Sequence, residues 1–432
     1  MDWREHYKKC LTTADEAVKH IKSGDRVLIT HATGESQVLS DALVRNADAY
    51  RNVEIVHMVA MGKGEYCKPE YQENFRHSSL FVGASTRQAV KDDRADFTPI
   101  FFSEIPDLMR TRLVPDVTLL QLSPPDEHGY CSCGVSVDYT KPIATECSKM
   151  NIAQINKYMP VTYGDSFIHV SQLDYIVEYD EPIIDLQPAK IGEVELAIGK
   201  NVASLVRDGD TLQLGIGGIP DAVLKSLTDK NDMGIHTEMF SDGVVDLVNA
   251  GNINNSKKTI NRGKSVATFL MGTRKLYDYV DHNPEVAMMP VDYVNNPRVA
   301  CQNDNLIGIN SCVQIDLMGQ VVSDCIGLYQ ISGVGGQADF VRAAAMSKGG
   351  RSVMAMPSTT KGISKIVPFL DHGAAVMTSR YDVDYVATEY GIVQLHGRNL
   401  RDRARLLIEV AHPDFRDMLK DEYRKRFPNS QI

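Results

Sequence analysis

The chain of 432 residues is long for one hydrophobic core and suits two domains of roughly 200 residues each. Apolar residues make up 43% and charged residues 24%, a globular composition, and no apolar run reaches the ~18–20 residues that span a bilayer. A net charge of −10 without any basic block argues against nucleic acid and anionic membranes as partners, though not against a polyanionic small ligand held at helix N-termini.

The opening Met-Asp-Trp-Arg-Glu-His-Tyr-Lys-Lys is too charged for a secretory signal, so a cytoplasmic location is the expectation. The pattern then predicts a helix over 14–22, a Gly24-Asp25 turn, a short apolar strand, a loop from His31 and a helix over 37–45. Buried strands are expected at 53–58, 117–122 and 175–177. His128-Gly-Tyr-Cys131-Ser-Cys133, with Cys147 beyond, is the one cysteine cluster. Structural zinc asks for C-x₂₋₄-C spacing and four ligands, so reduced structural cysteines are the favoured reading and no metal is expected. Eight cysteines are too few for a disulfide scaffold in a chain of this size, and Cys301, Cys312 and Cys325 read as small apolar residues.

Around Pro182–Lys190 the chain is punctuated, and beyond it the first pattern returns. Gly24-Asp-Arg-Val-Leu-Ile-Thr-His matches Gly209-Asp-Thr-Leu-Gln-Leu-Gly-Ile at an offset of 185 (209 − 24). Ala17, Ile21 and Lys22 fall on Val202, Val206 and Arg207, and Val38 and Leu39 on Val223 and Leu224. The second copy predicts helices over 193–207 and 221–227, further strands at 266–269, 352–355 and 385–387, and a closing helix over 402–427. Strands alternating with helices give an α/β fold: two related domains, 1–187 and 188–432, with mostly parallel sheets and helices on both faces.

Three segments could carry chemistry. Gly215-Ile216-Gly217-Gly218-Ile219-Pro220 links a strand over 212–214 to a helix, and backbone N–H groups there could meet an anion. The strict dinucleotide spacing fails because Pro220 holds the third glycine position, so an oxyanion or phosphate loop is favoured over a tight turn, and a nicotinamide site comes last. Gly333-Val-Gly335-Gly336-Gln337 precedes a second helix in the same manner. In Gly234-Ile-His-Thr-Glu238-Met-Phe, residues 235–239 alternate like a strand with His236 and Glu238 on one face, and Asp242 could cap the helix over 244–249. Alone, Glu238 reads as a surface or capping carboxylate.

Together these segments resemble the acetyl-CoA hydrolase/transferase family, the glutamate-dependent coenzyme A-transferases. The resemblance runs over nearly the whole chain, through Ser123-Pro-Pro-Asp-Glu-His-Gly, Tyr163-Gly-Asp-Ser-Phe-Ile-His-Val-Ser, Pro290-Val-Asp-Tyr-Val-Asn, Ile309-Asn-Ser-Cys-Val-Gln, Ser364-Lys-Ile-Val-Pro-Phe and Ala411-His-Pro-Asp-Phe. It implies that Glu238 is the nucleophile, that Gly215–Ile219 belongs to the coenzyme A site, and that Asn310, Gly333, Gly335, Gly336 and Lys361 lie near the cofactor. His31, Gln37 and Gln213 are candidates for the acid pocket, with His31 equally readable as a satisfied histidine at a strand end. The loop His31–Gln37 lacks the proline common there in the family, which leaves the preferred acid open.

The implied activity is transfer of coenzyme A between short-chain acids such as acetate, butyrate and 4-hydroxybutyrate. A glutamate ionised at pH 7 would need no base to attack a thioester, and glycine-loop N–H groups would stabilise the oxyanion by about 3–4 kcal/mol per donor. A cleft between domains would exclude water from the intermediate. No Gly-x-Ser-x-Gly, His-Glu-x-x-His or Walker loop offers a rival chemistry. A hydrolase on the same scaffold and a non-catalytic coenzyme A-binding module are the other readings, and a homodimer is the default assembly.

Overall fold

A computed structural model describes residues 2–430. The chain divides into two compact units. The first runs up to Leu186 and includes Val266–Val294 and Gln330–Gly333; the second holds Gln187–Ser265, Asn295–Tyr329 and the chain from Val334 onward. The segment 266–294, which follows the nucleophile candidate in sequence, thus returns to the first unit.

The first unit is built on a seven-stranded sheet in the order Tyr175–Glu178, Asn151–Ile155, Val117–Leu122, Arg26–Ile29, Val53–His57, Phe75–Ser79, Ala95–Phe97. Every pairing in it is parallel. The chain enters at Arg26–Ile29, steps outward through three strands, then crosses to Val117–Leu122 on the other flank and steps outward again. Loops at such a reversal splay apart and leave a crevice beyond the strands' carboxyl ends, the usual ligand position in open α/β sheets. Val27, Ile29, Ile55, Val117 and Leu119 pack with Leu39 and Leu43 of the helix Gln37–Arg45 in one apolar core.

The second unit repeats the design. Its sheet runs Gly234–Ile235, Thr211–Leu214, Leu306–Ser311, Arg351–Ala355, Tyr385–Thr388, Gly391–Gln394, parallel except for the final hairpin. Again the chain enters at an inner strand, Thr211–Leu214, and reverses past it to Leu306–Ser311. The internal repeat survives at atomic detail. Gly24 and Gly209 both take left-handed φ, +84° and +81°. Asp25 accepts a hydrogen bond from the Lys22 N–H at 2.8 Å, and Asp210 accepts one from the Arg207 N–H at 2.8 Å.

Several elements differ from their sequence reading. The helix expected over 14–22 closes at Val18, and that over 193–207 at Ala203. The apolar run 266–269 is not a central strand; it splits into Ser265–Ala267 and Phe269–Leu270 in separate small sheets. The closing helix is two, Leu400–Glu409 and Pro413–Arg426, because Pro413 cannot donate into a continuing helix and instead opens a new one with His412 as its cap. Among the described residues no helix is long and apolar enough to cross a membrane, and no group of three or more His, Cys, Asp or Glu is placed to hold a metal ion. Cys131 and Cys133 are buried free thiols.

Candidate active site

Glu238 does not lie within a strand. Gly234–Ile235 ends at His236, the backbone bends at Thr237–Glu238, and Met239–Phe240 resumes as a separate strand. The expected alternation fails with it: Ile235, His236, Thr237 and Met239 are all buried, and Glu238 alone is partly exposed. The bend is pinned to the sheet by Thr237, whose hydroxyl donates to the Leu214 carbonyl at 3.0 Å and accepts from the Leu214 N–H at 3.3 Å. Leu214 is the last residue before the glycine loop, so the Glu238 segment is tied directly to that loop's root. Asp242 is the first residue of the next helix, with Ser241 at the cap position.

The carboxyl of Glu238 accepts from Asn295 Nδ2 at 3.0 Å and from the Gly336 N–H. A side chain at position 336 would overlap the Glu238 carboxyl and the Asn295 amide, so anything larger than glycine must displace one of them. Asp339, buried in the first turn of the helix Gln337–Met346, lies 3.5 Å from the same Asn295 nitrogen. Loss of solvation raises the Glu238 pKa to about 7; the Asn295 hydrogen bond opposes this, Asp339 adds to it, and Gly336 opposes it again. The glutamate expected to be ionised at pH 7 therefore holds its proton more tightly than a free carboxyl, because the groups around it desolvate it more than they stabilise its charge. Asn295 and Asp339 carried no predicted role, although Asn295 closes the segment Pro290–Asn295 and Asp339 lies two residues beyond the glycine loop Gly333–Gln337.

Of the other residues, Gly217 sits at φ +111° and ψ −177°, a conformation essentially confined to glycine, with open space where a Cβ would be. It opens the helix Gly218–Lys225 without a side-chain cap. Gly215 also faces open space, Ile216 is exposed and Ile219 is buried. Gln213 and Asn310, on neighbouring strands, are buried and exchange amide hydrogen bonds at 3.4 and 3.1 Å. Gly335 and Gly336 belong to the second unit, whereas Gly333 packs against Leu80 and Phe81 of the first. Lys361 is an exposed turn residue with φ +48°.

In the first unit, His31 is fully buried, with Nδ1 at 3.2 Å from Asp138 Oδ2 and its ring edge-on to Phe269 and Phe102. Asp138 is itself held by the Ser136 hydroxyl at 2.7 Å and the Tyr139 N–H at 2.7 Å, and His31 Nε2 has no hydrogen-bond partner. Gln37 opens its helix beside Glu35, whose buried carboxyl accepts from the Gly62 N–H at 2.9 Å and is shifted upward by burial.

Residues 1–188 match the N-terminal domain of the acetyl-CoA hydrolase/transferase family, and residues 272–423 match its C-terminal domain. Over 430 residues the chain is 60% identical to the 4-hydroxybutyrate coenzyme A transferase of Clostridium kluyveri, covering 99% of this chain and 100% of that one. It is 44% identical to the succinyl-CoA:acetate/propanoyl-CoA:succinate CoA transferase of Fasciola hepatica, covering 96% of this chain and 87% of that one. Among solved structures, a 4-hydroxybutyrate CoA-transferase from Porphyromonas gingivalis superposes with a TM-score of 0.86 at 43% identity, covering 99% of this chain and 100% of that one. The chain belongs to the acetyl-CoA hydrolase/transferase family. It is a CoA-transferase, and coenzyme A is its substrate.

Proposed function

We propose that this CoA-transferase moves coenzyme A between short-chain carboxylic acids, 4-hydroxybutyrate or butyrate on one side and acetate on the other, by a ping-pong sequence through a thioester on Glu238. The observation that carries the reading is the setting of Glu238: a desolvated carboxyl with a pKa raised to about 7, held by the Asn295 amide and the Gly336 N–H. Desolvation makes a carboxylate more basic and more nucleophilic, which a merely structural glutamate does not need.

The ionised Glu238 attacks the acyl-CoA carbonyl, forms an acyl-glutamyl anhydride and releases CoA thiolate. The thiolate attacks the glutamyl carbonyl, expels the first acid as its carboxylate and leaves a glutamyl-CoA thioester. An acceptor carboxylate then attacks that thioester and the two steps run in reverse. Asn295 Nδ2 and the Gly336 N–H already point at a Glu238 oxygen, so they would face the oxyanion that forms when the glutamyl carbon becomes tetrahedral. The uncapped helix start at Gly217 and Gly218, within Gly215–Ile219, would serve the acyl carbon in the same way. Asn310, Gly333, Gly335 and Lys361 are assigned to coenzyme A, and His31, Gln37 and Gln213 to the incoming acid. In this reading 1–187 supplies the acid side and 188–432 the nucleophile, in a two-fold cytoplasmic homodimer.

The test mixes the protein with butyryl-CoA, with and without acetate, and follows free thiol, acetyl-CoA and the mass of the peptide carrying Glu238. Acetyl-CoA formed only with acetate, and a CoA-sized adduct on that peptide without it, is the expected result. Free thiol accumulating at the same rate without acetate would make the enzyme a hydrolase. Glu238→Ala transferring at the wild-type rate would end the nucleophile assignment. Replacing butyrate by 4-hydroxybutyrate or succinate ranks the acids.

A further inference from the structure

The residues leading to Glu238 run along a sheet edge. Gly234–Ile235 is the outermost strand of its sheet and bonds inward, the Gly234 N–H to the Asp210 carbonyl at 2.9 Å and the His236 N–H to the Leu212 carbonyl at 3.1 Å. The N–H and C=O of Ile235 point the other way, where a further strand would take them up, and buried backbone groups left without partners are rare. Two side chains take them instead. Asn255 Oδ1 accepts from the Ile235 N–H at 2.9 Å, and Lys258 Nζ donates to the Ile235 carbonyl at 2.7 Å.

Both residues sit on the loop between the helix Asp242–Asn249 and Ser265, and both are fixed within it. Asn255 Nδ2 donates to Ser265 Oγ at 3.0 Å, and Lys258 Nζ donates again to the Lys264 carbonyl at 2.7 Å. Asn255 holds φ +58°, a left-handed conformation that asparagine tolerates better than most residues. Lys258 is 1% exposed, and its methylenes lie against Gly234, where any Cβ would collide with them. Its ammonium has two carbonyls as partners and no carboxylate, an expensive way to bury a charge, and burial lowers its pKa to about 7. An apolar side chain would fill this space at lower cost unless the bond to Ile235 were needed.

We propose that Asn255 and Lys258 form a side-chain clamp that stands in for the missing outer strand and positions Glu238, three residues beyond Ile235. The bend that carries Glu238 is then fixed from both sides, by Thr237 on Leu214 within the sheet and by Lys258 on Ile235 outside it. The clamp deepens the nucleophile reading and rests on it. A carboxylate displaced by about 1 Å from its attack position loses on the order of a hundredfold in rate without losing substrate affinity.

Three variants test it: Lys258→Met, Asn255→Gly, which keeps the left-handed backbone and removes the acceptor, and Asn255→Asp, which keeps both. Each is assayed for melting, CoA binding, kcat and KM for butyryl-CoA, and the rate of adduct formation on Glu238. In Lys258→Met and Asn255→Gly, kcat and adduct formation are expected to fall at least about tenfold per CoA-binding site, while KM changes less than about threefold; Asn255→Asp stays within about threefold of wild type throughout. If Lys258→Met does not fold, the contrast between Asn255→Gly and Asn255→Asp decides. Wild-type adduct formation with Lys258→Met and Asn255→Gly folded and transferring at the wild-type rate overturns the clamp alone. Wild-type turnover with no adduct on Glu238 overturns the nucleophile reading and the clamp's role with it.

Discussion

At the scale of single residues, the carboxyl of Glu238 is kept where it costs stability. Its pKa rises from 4.5 to about 7, chiefly by desolvation, so the folded state holds the proton more tightly than the unfolded chain does. The stabilising contribution is complete below pH 4.5 and is lost as pH rises through 7, in all on the order of 3 kcal/mol. Glu238→Gln does not titrate. Its stability relative to wild type should therefore climb between pH 5 and pH 8, and parallel melting curves across that range would contradict the raised pKa. Adduct formation should run the opposite way in the wild type, rising with pH through about 7 as Glu238 ionises. Gly336→Ala probes the same site by space: the new methyl must displace either the carboxyl or Asn295, and kcat is expected to drop by about a hundredfold or more with CoA binding retained. A Gly336→Ala enzyme with wild-type kcat would mean that the carboxyl works from another position.

At the scale of elements, what the sequence made legible follows burial. Val117–Leu122 is buried at every position and Gln37–Arg45 has a capping Ser36, and both match their predicted spans. Phe75–Ser79 was not foreseen because it carries Arg76, His77 and two serines in place of an apolar run; His77 Nδ1 meets the Ile55 carbonyl, while the buried Ser79 Oγ has no hydrogen-bond partner. Residues 235–239 misled for another reason: alternation reports a half-exposed strand, and here the bend is fixed by long-range bonds from Asn295, Gly336 and Thr237 that no local pattern encodes. For the same reason Glu238 could be marked from its motif, whereas Asn255 and Lys258 carry no motif at all. Lys361 combines a turn position with the contact to coenzyme A proposed for it. It and Gly362, at φ +48° and +76°, form the turn joining the antiparallel Thr359–Thr360 and Ile363–Ser364. Lys361→Asn keeps a residue tolerant of that conformation and removes only the charge. KM for acyl-CoA should rise several-fold with KM for acetate unchanged; equal rises in both would remove Lys361 from the coenzyme A site.

Across the whole molecule, the two units use one design but have not kept the same stakes in it. Each begins its sheet after a Gly-Asp turn in which the aspartate accepts from the N–H three residues back, and each reverses strand order beside the strand that follows. Asp25 is half-buried, and its side chain accepts the Lys22 N–H of the turn. Asp210 is 1% exposed and also pairs at 2.6 Å with Arg351, itself 8% exposed, whose other arm donates to the Leu205 carbonyl. Arg351 opens the strand Arg351–Ala355 in the middle of the second sheet, so the ion pair joins the turn to the core of its unit. Removing Asp25 deletes one hydrogen bond to a partly wetted N–H, worth about 1 kcal/mol. Removing Asp210 deletes the same bond and strands a buried guanidinium, a loss of about 3–5 kcal/mol. Asp25→Ala and Asp210→Ala, equivalent substitutions by the repeat, should therefore shift thermal unfolding unequally, with the larger loss in Asp210→Ala. Asp210→Ala combined with Arg351→Met should recover much of that loss, since no charge is then left unpaired. Equal destabilisation by the two single variants would show that the Arg351 pair adds nothing to what the shared turn already provides.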